Sequence, residues 1–299
     1  MVKNLSFSII VTSYGEPKTL DKAIESLVGQ KLPGRAEILI VSPDRHAAAL
    51  ATKFNSLALP VRHLPDQGRG KPAALNVGLT HAKGDIAILT DGDVYVGQNS
   101  LIPLVEPFSD QSVGAVSGHP VSLNPKDIML GYWSHFLTDE AAHNLRRQRA
   151  KNKQFLECSG YLFAYRRQLV GKIPEDALAE DALISLRVWR KGYKIAYAPE
   201  AEVFVKFPTN LADWQAQKLR TIAAYSQPYL KNAPVIRSFF KESYYGIWRA
   251  LRYARNLREL YWTKILFAMR IYVWLAAWWE INIRKTPLNQ IWKRVESTK

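Results

Sequence analysis

Between Phe7 and Gly118, short continuous apolar runs alternate with segments of helical periodicity, and this alternation restricts the fold more than any other property of the chain. The runs FSIIVTS, AEILIVS, IAILT and VGAVSG have the length of strands and little polar alternation, as in strands covered on both faces. Helices are expected between them at about residues 19–30, 46–55 and 71–81. In the first, Leu20, Ala23, Ile24 and Leu27 recur at i, i+3, i+4 and i+7, which gives it one face to lay on a sheet. Strands joined by helices imply an α/β fold with a parallel or mostly parallel sheet. Ligands of such sheets bind beyond the carboxyl ends of the strands, and TSYGEP, SPD and TDGD all fall there.

Residues 124–230 mix longer helices with short strands and contain ECSGYLFAYRR and AEDALISLRVWRKGY. Nothing in them has linker composition, so one domain is expected over residues 1–234, with this stretch building the acceptor side of its pocket. The remainder, 235–299, has a different character. It holds 13 lysines and arginines against 4 glutamates, nine of the chain's 15 net positive charges, and six of its nine tryptophans: Trp248, Trp262, Trp274, Trp278, Trp279 and Trp292.

Aromatic apolar faces interleaved with cations suit a helical amphipathic tail lying in an anionic membrane interface. The longest apolar run there, Ile271 to Trp279, is well short of the roughly 20 residues a spanning helix needs. A pair of amphipathic helices packed on the domain, or an aromatic dimer interface, is the alternative reading. Nucleic acid also accepts basic and aromatic residues together, but no nucleic-acid-binding motif is present and none is expected as a partner. The single cysteine, Cys158, permits no intrachain disulfide and reads as a small buried hydrophobe in a reducing compartment. The first apolar stretch reads as a strand rather than as a signal segment. The expected location is cytoplasmic, peripheral on the inner face of the cell membrane.

Four further segments carry chemistry. TDGD ends an apolar strand with Asp91 and Asp93; two carboxylates on one short loop suit Mn2+ or Mg2+, which prefer oxygen ligands and share them with substrate phosphates. Asp-Gly is equally a turn dipeptide. GRGKPAALN brings Lys71 to a helix start, a setting for an anion. It is not a P-loop, because Pro65 and Pro72 stand where that motif needs Gly and Ser or Thr. Glu180 and Asp181 open a helix, where carboxylates favour the dipole and where an ionised one can also accept a proton from an attacking hydroxyl. Gln217 and Arg220 lie three apart on a helical face, the guanidinium suited to phosphate.

The succession TSYGEP, SPD, GRGK, TDGD, CSG, ED, QKLR resembles family-two glycosyltransferases of the GT-A fold, especially the branch of cellulose, chitin and hyaluronan synthases, over roughly residues 5–230. The resemblance implies a nucleotide-sugar-binding α/β domain. It assigns Tyr14 and Glu16 to the base and ribose, Asp44 to the uracil, Lys71 to the nucleotide, Asp91 to the ribose, phosphates and metal, and Asp93 to the metal. Cys158, Ser159, Gly160 and Glu180 would shape the acceptor site, and Asp181 would be the catalytic base. Gln217 and Arg220 match the family's Gln-x-x-Arg-Trp element, except that Thr221 stands at the tryptophan position, against long processive synthesis.

The implied reaction is inverting, metal-dependent transfer from a UDP-sugar to a hydroxyl of a lipid-linked or glycan acceptor at the membrane. The set of membrane helices found in polymerising synthases is missing from these 299 residues. A processive role would therefore need a separate membrane subunit. A nucleotidyltransferase and a non-enzymatic basic membrane or nucleic-acid binder are the competing readings.

Overall fold

The computed structural model describes residues 5–230, 232–234, 239–291 and 295–298. Trp292 and the expected boundary residue Val235 lie outside them. The described chain groups into two compact units, one comprising residues up to Pro120 together with Arg149–Val205, the other Val121–Gln148 together with residues from Lys206 to Thr298. The second unit thus takes in residues from both sides of the 234/235 boundary.

The first unit carries β1 (Phe7–Thr12), α1 (Pro17–Val28), β2 (Ala36–Val41), α2 (Arg45–Phe54), β3 (Val61–Leu64), α3 (Lys71–His81), β4 (Ile86–Asp91), β5 (Val94–Val96), α4 (Leu101–Val105) and most of β6 (Val113–Ser122). After α5 (Met129–His135) and α6 (Asn144–Lys151), it resumes with β7 (Leu162–Arg166), α7 (Glu180–Arg190) and β8 (Lys194–Val205). The strands form one eight-stranded sheet in the order β3-β2-β1-β4-β7-β6-β8-β5.

From β3 to β4 the pairings are parallel, while β7 runs antiparallel to β4 and to β6, and β5 antiparallel to β8. The sheet is therefore mixed: the marked runs FSIIVTS, AEILIVS and IAILT supply β1, β2 and β4 of its parallel half, β3 joins them unmarked, and VGAVSG lies in β6, outside that half. Every residue of β1 is buried, as helices on both faces of a parallel sheet require. Leu20, Ala23, Ile24 and Leu27 are the buried residues of α1.

Register decides where the chemistry goes. Thr12 pairs with Val41 on one side and with Asp91 on the other. The loops after β1, β2 and β4 therefore leave the sheet from a single row, the carboxyl edge where ligands of such sheets bind. Helix α3 is drawn tightly onto this half because Gly78 has no side chain: a Cβ there would come within 2.6 Å of Ile10 Cγ2.

The second unit is helical: α5, α8 (Leu211–Ala224), α9 (Phe239–Tyr253), α10 (Leu257–Trp278) and α11 (Leu288–Ile291), with π-helical turns at Phe136–His143 and Trp279–Ile283. Its core joins Leu130, Tyr132, Trp133 and Phe136 to Trp214, Ala250, Leu266 and Val273. The two largest buried rings have satisfied polar ends, whereas the Tyr253 hydroxyl packed beside them is buried with no hydrogen-bond partner among the described residues. Trp133 Nε1 donates to the Trp262 carbonyl at 2.8 Å, and the Tyr132 hydroxyl lies 2.9 Å from Thr263 Oγ1, as is usual for buried Trp and Tyr. Asn256 caps α10 by accepting from the Glu259 amide at 2.9 Å. Among the described residues no helix is long and apolar enough to cross a membrane.

Candidate active site

The site at the sheet edge is built around one ammonium. Lys71 opens α3 directly after Gly70, whose φ of +103° favours glycine. Its Nζ lies 2.7 Å from Asp91 Oδ1 and 2.9 Å from Glu180 Oε1. Asp91 ends β4 and also accepts from Thr12 Oγ1 at 3.2 Å. Glu180 is the first residue of α7, so a single lysine ties the TDGD loop to the start of the helix that carries Asp181.

The glycine between the aspartates is sterically required. A Cβ at Gly92 would fall 2.7 Å from that of Ser13, because the loops after β1 and β4 run against each other. The same contact brings the Glu16 segment to the cluster, with Ser13 Oγ donating to Glu16 Oε2 at 3.4 Å.

Electrostatics follow from this crowding. Desolvation alone would depress the Lys71 ammonium, but Asp91 and Glu180 outweigh it and hold the group above its ordinary range, so it stays charged. Desolvation raises Asp93 to about 7, with Asp91 and Glu16 repelling its charge and Lys71 offsetting part of the effect. Asp91 is raised by desolvation too, against the pull of Lys71. Desolvation, then Glu180 and more weakly Glu157, push Asp181 up to about 6, with Lys71 opposing.

A divalent cation fits this chemistry. Asp91 and Asp93 are hard oxygen donors whose mutual repulsion a positive ion would relieve. Among the described residues, no group of three or more histidine, cysteine or carboxylate side chains is arranged to hold an ion alone. These carboxylates would form part of a coordination sphere that substrate oxygens and water complete, as is usual for Mg2+.

The two oxygens of Asp181 meet different neighbours. Its Oδ1 accepts from the Ala182 amide at 2.9 Å, while Oδ2 lies 3.0 Å from where a Cβ on Gly160 would stand. Any side chain at position 160 would press on the carboxylate. The Cys158 and Ser159 amides donate to Ser185 Oγ and Ser117 Oγ, each at 3.0 Å, which fixes the CSG turn against α7 and β6. Cys158 itself is buried and free of any disulfide, as expected of a small hydrophobe.

On the other flank, Asp44 Oδ2 accepts from the Gly15 amide at 2.6 Å, joining the loops after β1 and β2. The Tyr14 ring lies against Gly68, 3.0 Å from where a Cβ would be. Glu180, expected beside the acceptor, is engaged by Lys71. Gln217 and Arg220 lie on α8 in the second unit, and Thr221 Oγ1 donates back to the Gln217 carbonyl at 2.8 Å.

Sequence reasoning did not single out Thr12, Ser13, Glu157 or Asn76. Asn76 donates to the Ile173 carbonyl at 2.7 Å and accepts from the Ile173 amide at 2.9 Å, pinning the segment that leads to α7. All four lie in segments that the sequence marks, Thr12 and Ser13 in TSYGEP, Asn76 in GRGKPAALN and Glu157 in ECSG, but none is given a role there.

Comparison with known proteins identifies the family and the fold. The chain is 26% identical over 245 residues to the Bacillus subtilis protein described as probable glycosyltransferase YdaM, covering 78% of this chain and 58% of that one. It is 25% identical over 219 residues to a poly-beta-1,6-N-acetyl-D-glucosamine synthase of Staphylococcus aureus, covering 71% and 53%. The chain thus spans about half the length of these curated relatives. Among solved structures, a mannosyltransferase from Pyrobaculum calidifontis in complex with GDP-Man and Mn2+ superposes with a TM-score of 0.64 at 20% identity, over 94% of this chain and 88% of that one. That likeness shows a shared fold, the GT-A type expected from the sequence. The profile of the family described as glycosyltransferase like family 2 matches residues 4–224, about three quarters of the chain, and the chain belongs to that family.

Proposed function

We propose that this chain is an inverting glycosyltransferase that moves a sugar from a UDP-sugar to a hydroxyl of a membrane-associated lipid or polysaccharide acceptor. One observation carries the reading: Lys71 bridges Asp91 of the donor loop and Glu180 at the head of the α7 helix. A cation-lined donor site and a carboxylate base are thereby held together at one sheet edge.

Asp181 accepts the proton of the acceptor hydroxyl as that oxygen attacks the anomeric carbon, and the nucleoside diphosphate departs on the opposite face. Its raised carboxyl value of about 6 leaves it ionised at neutral pH and a better base than an ordinary aspartate. Gly160 leaves the space above Oδ2 open for the hydroxyl. Tyr14 and Asp44 hold the uridine, and Lys71 stabilises the diphosphate as it takes on charge. A divalent cation held by Asp93 and Asp91 would supply further positive charge for the diphosphate.

The test is nucleotide release from a panel of UDP- and GDP-sugars, with Mn2+, with Mg2+ and with chelator, for the wild type beside Asp93→Ala. Calorimetric UDP binding is measured on the same samples. Metal-dependent release from one UDP-sugar, lost in Asp93→Ala, is the expected result. Release from a GDP-sugar alone would remove the uridine assignment. Absence of both release and metal-dependent nucleotide binding would leave TDGD as a turn and sink the reading.

A further inference from the structure

Helix α10 is apolar on two opposite faces, and among the described residues only one of them is covered. Thr263, Leu266, Val273 and Ala277 are buried, and the helix packs there on α5, α8 and α9. On the other side, Ile271, Tyr272, Leu275, Trp278, Trp279 and Ile283 recur at helical spacing, running from α10 into the π-helical turn. Each is between 44% and 62% exposed.

Scattered exposed hydrophobes are ordinary, but a contiguous patch with two tryptophans marks a surface that something covers. Of the tail's sequence readings, packed amphipathic helices describe the first face, while the second is left open among the described residues.

We propose that this outer face seats in the headgroup region of an anionic bilayer, with the α10 axis lying in the membrane plane. Three observations choose lipid over a protein partner. The aromatic residues are tryptophan and tyrosine, whose rings have an apolar body and a polar tip suited to the interface. Cations bracket the patch: Lys264 is exposed on the same stripe before it, and Arg284 and Lys285 follow it directly. Glu280 offsets only one of these, pairing with Arg284 at 3.0 Å.

An antiparallel contact between two copies would set Lys264 of one against Arg284 and Lys285 of the other, and that like-charge pairing disfavours self-association. Finally, Ile271 to Ile283 measures roughly 18 Å along a helix, against a hydrocarbon core of about 30 Å. That length suits an in-plane seat and is too short for a span.

The proposal deepens the membrane-associated acceptor of the proposed function, and its test is independent of catalysis. The full chain is sedimented with vesicles of phosphatidylcholine alone, and with vesicles of equal parts phosphatidylcholine and phosphatidylglycerol. Leu275→Ser/Trp278→Ser/Trp279→Ser and Arg284→Gln/Lys285→Gln are compared with wild type. UDP binding and sedimentation equilibrium are recorded on every sample.

Wild type should bind the anionic vesicles preferentially, and the triple variant should lose about tenfold or more in partitioning while still binding UDP. The double variant should lose the preference for anionic lipid. Vesicle binding unchanged in the triple variant, or absent in wild type, overturns the proposal. So does a wild-type dimer that the triple variant turns into a monomer, which would assign the face to a second copy. Failure of UDP binding in wild type would count against the donor reading and leave the surface untouched.

Discussion

The carboxylate cluster at the sheet edge and the outer face of α10 depart from the usual distribution of residues in opposite directions. In the cluster, Asp91, Asp93, Glu180 and Asp181 are drawn out of water with Lys71 among them, and three of the four carboxyls are raised in consequence. On α10, tryptophans and aliphatic side chains stand in water that a folded core would spare them. A buried excess of one charge calls for a counter-ion, and an exposed apolar patch calls for an apolar neighbour. The two regions teach the same rule: where the partition between inside and outside fails, a binding partner is the first thing to test for.

The sharpest way to break the comparison is to show that the buried charge is only structural. Asp181→Asn keeps the side-chain volume and should fold and bind UDP, yet lose transfer by about 10²–10⁴-fold. Turnover near the wild-type level in a donor assay would reduce Asp181 to a helix-start residue. In wild type, activity should rise with pH through about 6, because only the ionised carboxyl accepts the proton.

Folding should respond with the opposite sign. Asp181 and Asp93 bind protons more tightly in the native state than in the unfolded one, so their contribution is full below the ordinary carboxylate range. It declines as pH climbs toward about 7. Urea denaturation across that window measures the slope, and a rise in stability with pH would need other groups to dominate.

Lys71→Met tests the bridge itself. Removing the ammonium leaves Asp91 and Glu180 without the cation between them, and the expected loss is about 2–4 kcal/mol by denaturant unfolding. A change below about 1 kcal/mol would mean that the carboxylates find other counter-charges.

The smallest effects distinguish the two faces of α10. Leu266→Ala on the packed face should cost about 2–4 kcal/mol, whereas Trp278→Ser on the open face should stay within about 0.5 kcal/mol. Equal costs would show that the outer face is packed after all.

What the sequence made legible was local. Three strands of the parallel half, β1, β2 and β4, announce themselves as continuous apolar runs, and α3 spans residues 71–81 as expected. Four-residue β3 and three-residue β5 are too short for periodicity to reveal, and in β8 Lys194, Pro199, Glu200 and Glu202 break the apolar pattern. The division into units was hidden for a related reason. Trp133 and Trp214 meet with ring centroids 5.1 Å apart, yet nothing near either residue in the chain foretells the other. The motif residues of the site could be named in advance, but the partners that hold them could not. Thr12 reaches Asp91 across 79 positions, and Asn76 reaches Ile173 across 97.

Helix α3 links these long-range ties. Its first residue holds Asp91 and Glu180, its sixth clamps Ile173, and Arg69 just before it pairs with Glu175 at 3.0 Å. The segment from Ile173 to Glu180 therefore takes its position from a helix about a hundred residues upstream. For protein engineering, the two stretches form one inheritance unit. A chimera with its crossover between positions 81 and 173 would separate a lock from its key, however compatible the two parents' strands are. Donor and acceptor preferences in this fold should be exchangeable only when residues 69–76 and 173–181 travel together.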